Sequence, residues 1–462
     1  MAFLDGTIVN VALPAIRDDL DASLAGLQWI LDAYLVTLTA LLLLGGSLGD
    51  RFGRRRVFES GVWLFTAASL LCGLAPSTEA LVAARGLQGV GGAMLVPGSL
   101  ALLTATMHPD DRARAVGSWS GLTGVASALG PLLGGWLIDA ASWRWAFLLN
   151  LPLAAVVLVV VRGVPESVEH VEAGARGPGR IDVLGAATAA GGLALLTGGL
   201  IAAGSGWTVS TVAAAAAGAA LLAAFVVVER QSAKPMLPLS VFSNAQFAGA
   251  NLVTLAVYAG LGAAFFLVVL NLQLILGYSA LEAGTALLPA TVLMLLLSAR
   301  VGALAQRIGA RWPMTLGPLT VAGGLLWLGQ VGPGDTYLAS VLPGAVVFGL
   351  GLSITVAPLT ATVMASVDEH LLGVGSATNN AVARLAGLLA VAVLPAAAGV
   401  RLEEAGPDGL AGYATAMAIS AGLCIAGAGV AAVTIRKLVA TTPATQASIL
   451  QPCGEPCLRE TA

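Results

Sequence analysis

Fourteen apolar stretches, each close to the length of a bilayer-crossing helix and joined by short connections, confine this chain to one kind of fold. They run approximately 1–16, 28–49, 57–75, 79–105, 113–138, 144–162, 181–203, 207–229, 246–275, 282–305, 312–331, 336–365, 371–399 and 411–435. A membrane span needs roughly 20 apolar residues. Within hydrocarbon every backbone N–H and C=O must be paired inside the segment, so each stretch becomes a helix. Only 10% of the residues are charged and 57% are hydrophobic, where soluble domains carry about a quarter charged residues. The expected class is an all-α polytopic membrane protein.

The basic residues test the count, because cytoplasmic loops collect Lys and Arg. Of the 22 Lys+Arg, Arg17, Arg144 and Arg401 fall in loops of one side, and Arg85, Arg300 and Arg384 fall within spans. The remaining sixteen alternate onto the other side, which is then cytoplasmic and carries both termini. The bias requires an even number of spans; twelve and fourteen both satisfy it, and the pair at 181–229 decides for fourteen. The first stretch is short, opens on Met1 and lacks a basic leader, so the natural start is expected upstream. It continues into a span bearing polar groups of functional type and does not read as a cleavable signal peptide. The abundance of Ala, Gly and Arg suggests a high-GC bacterial source.

Between the second and third spans stands Gly46-Ser47-Leu48-Gly49-Asp50-Arg51-Phe52-Gly53-Arg54-Arg55-Arg56. The glycines allow two helix ends and a turn to approach where a Cβ would clash. Asp50 among arginines can form an ion pair that locks one arrangement of neighbouring helices. The loop repeats 256 residues later as Gly302-x3-Gln306-x2-Gly309-Ala310-Arg311, with Gln306 in place of Asp50. Two bundles with a degenerate second copy of one loop are what a duplicated transporter shows. The resulting division is an N-terminal six-helix bundle (1–163), a linker with two additional central spans (164–245), a C-terminal six-helix bundle (246–437) and a cytoplasmic tail (438–462).

Ionisable side chains inside spans are costly and mark function. Asp5 lies about eleven residues, or roughly 16 Å at 1.5 Å per residue, from the end of its helix at Arg17, near the bilayer midplane. It must pair, face water or take up a proton, and is the first candidate for proton coupling. Asp32 lies about one turn inside the outer face, where a solvated vestibule residue and a coupling site are both open. Arg85 stays charged at any physiological pH and needs a carboxylate or carbonyl; beside Asp5 or Asp32 it would respond to their protonation. Asn10, Tyr34, Gln88, Asn271, Gln273, Asn379, Asn380 and Arg384 are candidates to line the cavity or bond between helices.

Several of these patterns resemble one family. The arginine-rich loop resembles that between the second and third spans of the major facilitator superfamily, and Arg85-Gly86-Leu87-Gln88-Gly89 resembles its fourth-span arginine motif. Leu4-Asp5-Gly6-Thr7-Ile8-Val9-Asn10-Val11-Ala12-Leu13-Pro14 is similar to the first span of the fourteen-span drug:proton antiporters, the EmrB/QacA group. Gly117, Gly130, Pro131, Gly134 and Gly135 match the antiporter signature Gly-x8-Gly-x3-Gly-Pro-x2-Gly-Gly except at Ala126. The resemblance implies the major facilitator fold, alternating access and export in exchange for protons. It also implies small lipophilic or cationic cargo. Paired deep acids for dications are absent, since Glu282 and Asp335 stand at span edges, so neutral or monocationic compounds are expected.

Other classes lack their signatures. There is no G-x4-G-K-[ST] phosphate loop, and no H-E-x-x-H or other metal cluster, the histidines being His108, His170 and His370. No cofactor beyond a proton gradient is expected, nor any enzymatic activity. A net charge of −3 and no basic patch give no sign of nucleic acid. Cys72 and Cys424 read as small hydrophobes in spans, and Cys453-x3-Cys457 stands in the polar tail. The partners expected are small compounds and membrane lipid, with the protein monomeric in a bacterial inner membrane. The alternative reading is a narrow exporter of a self-made metabolite such as an antibiotic or siderophore.

Overall fold

A computed structural model of the chain describes residues 1–107, 112–164, 182–204, 206–232, 239–367, 372–400 and 407–436. His108, His170, His370, Cys453 and Cys457 lie outside them, as does the side chain of Asp50, on which the expected ion-pair lock rests.

Every apolar stretch read from the sequence is helical, and no strand occurs among the described residues. The helices are α1 (Ala2–Leu20), α2 (Leu24–Phe52), α3 (Arg54–Gly73), α4 (Thr78–Thr106), α5 (Arg112–Ala140), α6 (Arg144–Leu148), α7 (Asn150–Val161), α8 (Val183–Ala203) and α9 (Val209–Gln231). They continue as α10 (Ala245–Leu274), α11 (Ala280–Ala286), α12 (Leu288–Ile308), α13 (Arg311–Leu328), α14 (Leu342–Ala365), α15 (Leu372–Ala397) and α16 (Pro407–Thr434). Two of the expected spans, 144–162 and 282–305, are each interrupted at one residue, Leu149 between α6 and α7 and Leu287 between α11 and α12, and each runs on as one apolar stretch. Ten helical stretches among the described residues are long and apolar enough to cross a membrane. α1, α3, α5 and α13 fall outside that set.

The duplicated loop is duplicated in its backbone. Gly53 between α2 and α3 has φ 100°, and Gly309 between α12 and α13 has φ 91°. An L side chain rarely adopts this conformation, so glycine is required at both sharp reversals. Arg55 fixes the first one: its guanidinium donates to Glu59 Oε1 at 2.8 Å and to the carbonyl of Val164 at 2.9 Å, tying the turn to the end of α7. Arg54 is half-buried beside it, and Gly46, one turn inside α2, faces Pro97 of α4.

Lipid offers no hydrophobic drive for helices to associate, so packing falls to small residues and interhelical hydrogen bonds. α2 and α4 illustrate both. A Cβ on Gly89 would meet Thr37 Oγ1 and the carbonyl of Tyr34, and Thr37 Oγ1 donates to the carbonyl of Gly86 at 2.8 Å.

α1–α7 pack among themselves, as do α10–α16. α8 and α9 pair as a hairpin, and α8 lies against both α2 and α15. Val36, Ala40, Ala189, Leu193 and Leu388 form the apolar cluster there, so the additional pair covers one side of the seam between the bundles.

The hydrogen bonds that Gln28, Gln273 and Asp139 make across that seam lie in its half remote from Gly53 and Gly309, here called the far half. Gln28 Nε2 donates to the carbonyl of Val391 at 2.6 Å, joining α2 to α15. Gln273 Nε2 donates to the carbonyl of Val11 at 3.0 Å, joining α10 to α1. Asp139, at the end of α5, accepts from the backbone N–H of Ala280 and Leu281 at 3.1 and 2.9 Å. It thereby caps the first turn of α11 from the opposite bundle.

At the far end of α1, beyond the span 1–16, Asp19 Oδ2 accepts from Arg144 Nη1 at 2.5 Å and Trp143 Nε1 at 3.0 Å. Arg144 first, then Trp143, holds the Asp19 carboxyl below its usual range. A depressed carboxylate stabilises the fold above its ordinary pKa, and that stabilisation is lost as pH falls through the depressed one. The pair is half-exposed, so its contribution is small, under about 1 kcal/mol. Acidification below the carboxylate range should therefore lower the melting temperature of Arg144→Ala slightly less than that of the parent, measured in detergent at low salt.

Candidate functional site

Asp5 sits one turn into α1 with its side chain fully buried, and three donors converge on its two oxygens. Arg85 Nη1 of α4 reaches Oδ2 at 2.6 Å. Gln88 Nε2, one turn along α4, reaches Oδ1 at 2.8 Å, and Asn150 Nδ2 at the start of α7 reaches the same oxygen at 3.0 Å. Arg85 and Gln88 meet the one carboxylate because residues three apart share a helix face. Arg85 is 1% exposed and is satisfied on several sides. Its Nε donates to the carbonyl of Ile30 at 3.0 Å and its Nη1 also to Gln88 Oε1 at 2.5 Å. The rings of Tyr34 and Phe147 lie 4.4 and 5.7 Å from its guanidinium carbon. Gln88 Nε2 further donates to Ser69 Oγ at 2.9 Å, which brings α3 into the cluster.

Charge held this deep survives because it is paired and hydrogen-bonded at once. α1, α3, α4 and α7 meet at a single carboxylate. Adding a proton to Asp5 would take an acceptor site from one of the three donors and leave Arg85 without its counter-charge. The bond pattern of four helices would then have to change.

Of the two readings open for Asp32, the solvated vestibule residue does not fit. It is 0% exposed, and neither carboxyl oxygen has a hydrogen-bond partner among the described residues. The depth count placed it near an aqueous end, but packing of α2 against its neighbours seals it. Removing a buried polar group that lacks a partner relieves a desolvation cost of about 1–3 kcal/mol. Asp32→Leu should accordingly raise the melting temperature of the purified protein. A melting temperature several degrees lower would show that the carboxyl is held after all.

Of the cavity candidates, several are structural ties. Asn271 is 4% exposed and donates to the carbonyl of Val331 at 3.2 Å. Asn379 Nδ2 donates to Thr254 Oγ1 at 2.7 Å, joining α15 to α10, and Gln273 spans the seam. Tyr34 is buried, its hydroxyl donating to the carbonyl of Ala2 at 3.4 Å. Asn10 is half-buried and donates to the carbonyl of Gly6 in its own helix. Asn380 is exposed, and among the described residues it donates only to the carbonyl of Ser376, one turn back. Arg384 is half-buried, with its guanidinium carbon 5.9 Å from the ring of Phe3 in the opposite bundle.

The glycine series on α5 serves two neighbours. A Cβ on Gly130 would meet Thr7 Oγ1 and, on Gly134, Ile8 Cγ2 at 2.9 Å, both on α1. On Gly135 it would meet Leu281 Cα at 2.5 Å, and a Cβ on Gly284 would meet the carbonyl of Pro131. One edge of α5 therefore rests on α1 and the other on α11, across the seam. Of Gly117 only its place in α5 is described.

A buried acid bonded to the fourth helix, a repeated glycine turn and two packed helical groups agree with comparison to known proteins. The Major Facilitator Superfamily model matches residues 1–185 and 182–391. The chain belongs to this superfamily. Among its relatives, the tetracenomycin C resistance and export protein of Streptomyces glaucescens is 35% identical over 413 residues, covering 88% of this chain and 75% of the relative. The multidrug transporter protein MdtP of Bacillus subtilis (strain 168) is 32% identical over 416 residues, covering 89% and 75%. The multidrug resistance protein Stp of Mycobacterium tuberculosis (strain CDC 1551 / Oshkosh) is 34% identical over 401 residues, covering 85% and 73%. In fold the chain is similar to the nucleoside transporter NupG, with a TM-score of 0.64 at 11% identity over 94% of this chain and 98% of that one. It is thus a transporter of the major facilitator type, a bacterial multi-pass membrane protein, and its relatives are drug and antibiotic exporters.

Within this facilitator, Asn150 and Ser69 belong to the Asp5 cluster although residue depth alone did not single them out. Asn150 carried a signal, standing in Asn150-Leu151-Pro152 at the head of an apolar run. Ser69 carried none.

Proposed function

We propose that this protein is a proton-coupled exporter of antibiotics and other small drug-like compounds, working by alternating access between its two bundles. The observation that carries the coupling is the Asp5 carboxylate, bound by Arg85, Gln88 and Asn150 where four helices converge. Asp32 is the second candidate carboxyl. The reading takes all fourteen helical stretches as spans and places the arginine-rich loop and both termini in the cytoplasm of a bacterial inner membrane. The two bundles (1–163 and 246–437), the inserted pair (164–245) and the tail (438–462) are then the working parts of a monomer, powered by the proton gradient without a cofactor.

With that orientation the far half is external. The bonds made by Gln28, Gln273 and Asp139 close the external side, so the arrangement is the inward-facing one with Asp5 in the form that pairs with Arg85. Cargo enters from the cytoplasm or inner leaflet, and the bundles rock until the far half parts. A proton from outside then reaches Asp5, breaks its pairing with Arg85 and resets the transporter. The cargo is small and lipophilic; a cationic compound would need an acid facing the seam, and Asp5 is occupied by its three donors. The narrower alternative is export of a single metabolite made by the same cell, and selective protection against one compound would distinguish it.

Transport into inverted membrane vesicles tests the proposal. A panel of lipophilic fluorescent compounds should accumulate on energisation, and dissipating the pH gradient should collapse that accumulation. Accumulation that persists after both the pH gradient and the potential are removed would contradict proton coupling.

A further inference from the structure

We infer that Arg384 is the anchor for an anionic group on the cargo, and that the preferred cargo is a lipophilic planar aromatic compound bearing one acidic group, a carboxylate or an ionised phenol. The inference rests on the export reading and specifies its substrate class.

The two arginines nearest the bilayer midplane have opposite fates. Arg85 is fully buried and bonded to Asp5, Gln88 and the Ile30 carbonyl. Arg384 stands thirteen residues into α15, half-buried, and makes no hydrogen bond or ion pair among the described residues. It lies over the face of Phe3, across the seam between bundles. A guanidinium at membrane depth is expensive unless it meets an anion or lines a water-filled space.

Among the described residues no acid is paired with Arg384. Asp5 is taken up by three donors. Asp32 is 0% exposed with both oxygens lacking a partner, and it lies two residues from Tyr34 on α2. Residues two apart point to opposite sides of a helix, so Asp32 faces away from the Tyr34 side, on which Arg85 and Arg384 lie. On the C-terminal bundle, Glu282 bonds the backbone at the start of α11, and Asp335 bonds Ser340 and Gly332 in a connection. The seam thus carries a cation with open bonding capacity.

The surroundings of that cation set the rest of the ligand. Phe3 meets Trp119 edge-on, with centroids 6.1 Å apart, and both are half-buried. Trp119 Nε1 is occupied by Ser99 Oγ, which leaves ring surface. Asn380, one turn from Arg384 on the same helix face, is exposed, and its side-chain oxygen accepts no bond among the described residues. A flat aromatic body fits beside Phe3 and Trp119, and a planar acid group receives the guanidinium fork through paired N–H donors. Carrying an anion out and a proton in moves charge in the same electrical sense, so membrane potential alone would also drive export.

The test is equilibrium binding to the purified full chain, using the fluorescence of anthracene-2-carboxylate and of its uncharged methyl ester. The parent should bind the acid at least tenfold more tightly than the ester. Arg384→Gln should abolish that preference by weakening the acid without changing the ester, and Arg384→Lys should keep part of it because the charge is retained. Equal affinity of the parent for the two probes would overturn the inference, as would an equal loss of both in Arg384→Gln. Should Arg384→Gln fail to fold, the parent's acid-to-ester ratio and Arg384→Lys still decide. Binding needs no gradient, so the two readings separate. Absent acid preference with intact proton-driven efflux of the ester sinks this inference alone. A clear acid preference without gradient-driven transport sinks the export reading alone.

Discussion

Asp5→Asn should abolish gradient-driven efflux in energised vesicles. The substitution keeps the shape of the side chain and one acceptor oxygen for Gln88 or Asn150. It removes the charge that balances Arg85, which is 1% exposed. Breaking one partner of a buried ion pair costs about 3–5 kcal/mol, and at about tenfold per 1.4 kcal/mol the arrangement around α1 and α4 becomes at least ~100-fold less favourable. Asp5→Glu retains the charge and should retain measurable transport, which separates lost coupling from lost folding. Substrate exchange without a net gradient should survive in Asp5→Asn wherever the protein inserts normally. Undiminished proton-driven efflux in this variant would remove Asp5 from the coupling role.

The second large effect belongs to Gly135. A Cβ there would stand 2.5 Å from Leu281 Cα and 2.7 Å from the carbonyl oxygen of Ala280. Both are backbone atoms at the N-terminal turn of α11, so no rotamer change relieves the clash. Gly135→Val must part α5 from α11 and pull Asp139 away from the two N–H groups it caps. Overpacking of this kind costs about 1–3 kcal/mol. Because the cost falls only on the state in which the far half is closed, it shifts the bundle equilibrium toward opening. Spin labels at the exposed positions Ala141 and Gln330 should report a longer separation in Gly135→Val than in the parent. An unchanged distance distribution would mean that this contact does not hold the bundles together.

Much of this was legible in the residues. Length and apolarity gave the helical stretches, because hydrocarbon leaves the backbone no alternative. The Gly53 and Gly309 turns were legible because their spacing repeats, and both adopt the same left-handed backbone. That Arg85 needs an acid or carbonyl partner was accessible from its place within a span, but Asp5 and Asp32 were both open to it, and the structure pairs it with Asp5.

What the residues did not give was the facing of each polar group. These helices are apolar nearly all round, so no amphipathic stripe shows which side meets a cavity. Asn271 and Asn379 read as residues that line the cavity or bond between helices, and the structure makes them ties within the C-terminal bundle. For Asp32 a solvated vestibule residue and a coupling site were both open, and only the packing shows the side chain sealed, because depth along a helix says nothing about its rotation. Asn150 donates to Asp5 from the sixth apolar stretch, a facing that no pattern in that stretch announces.

Proton exchange at Asp5 is tested most directly by following pH-indicator absorbance while a transported compound is added to weakly buffered purified protein. Binding should change the number of protons held by the parent and leave Asp5→Asn silent at matched occupancy. A proton signal of equal size in both proteins would contradict coupling through this carboxyl.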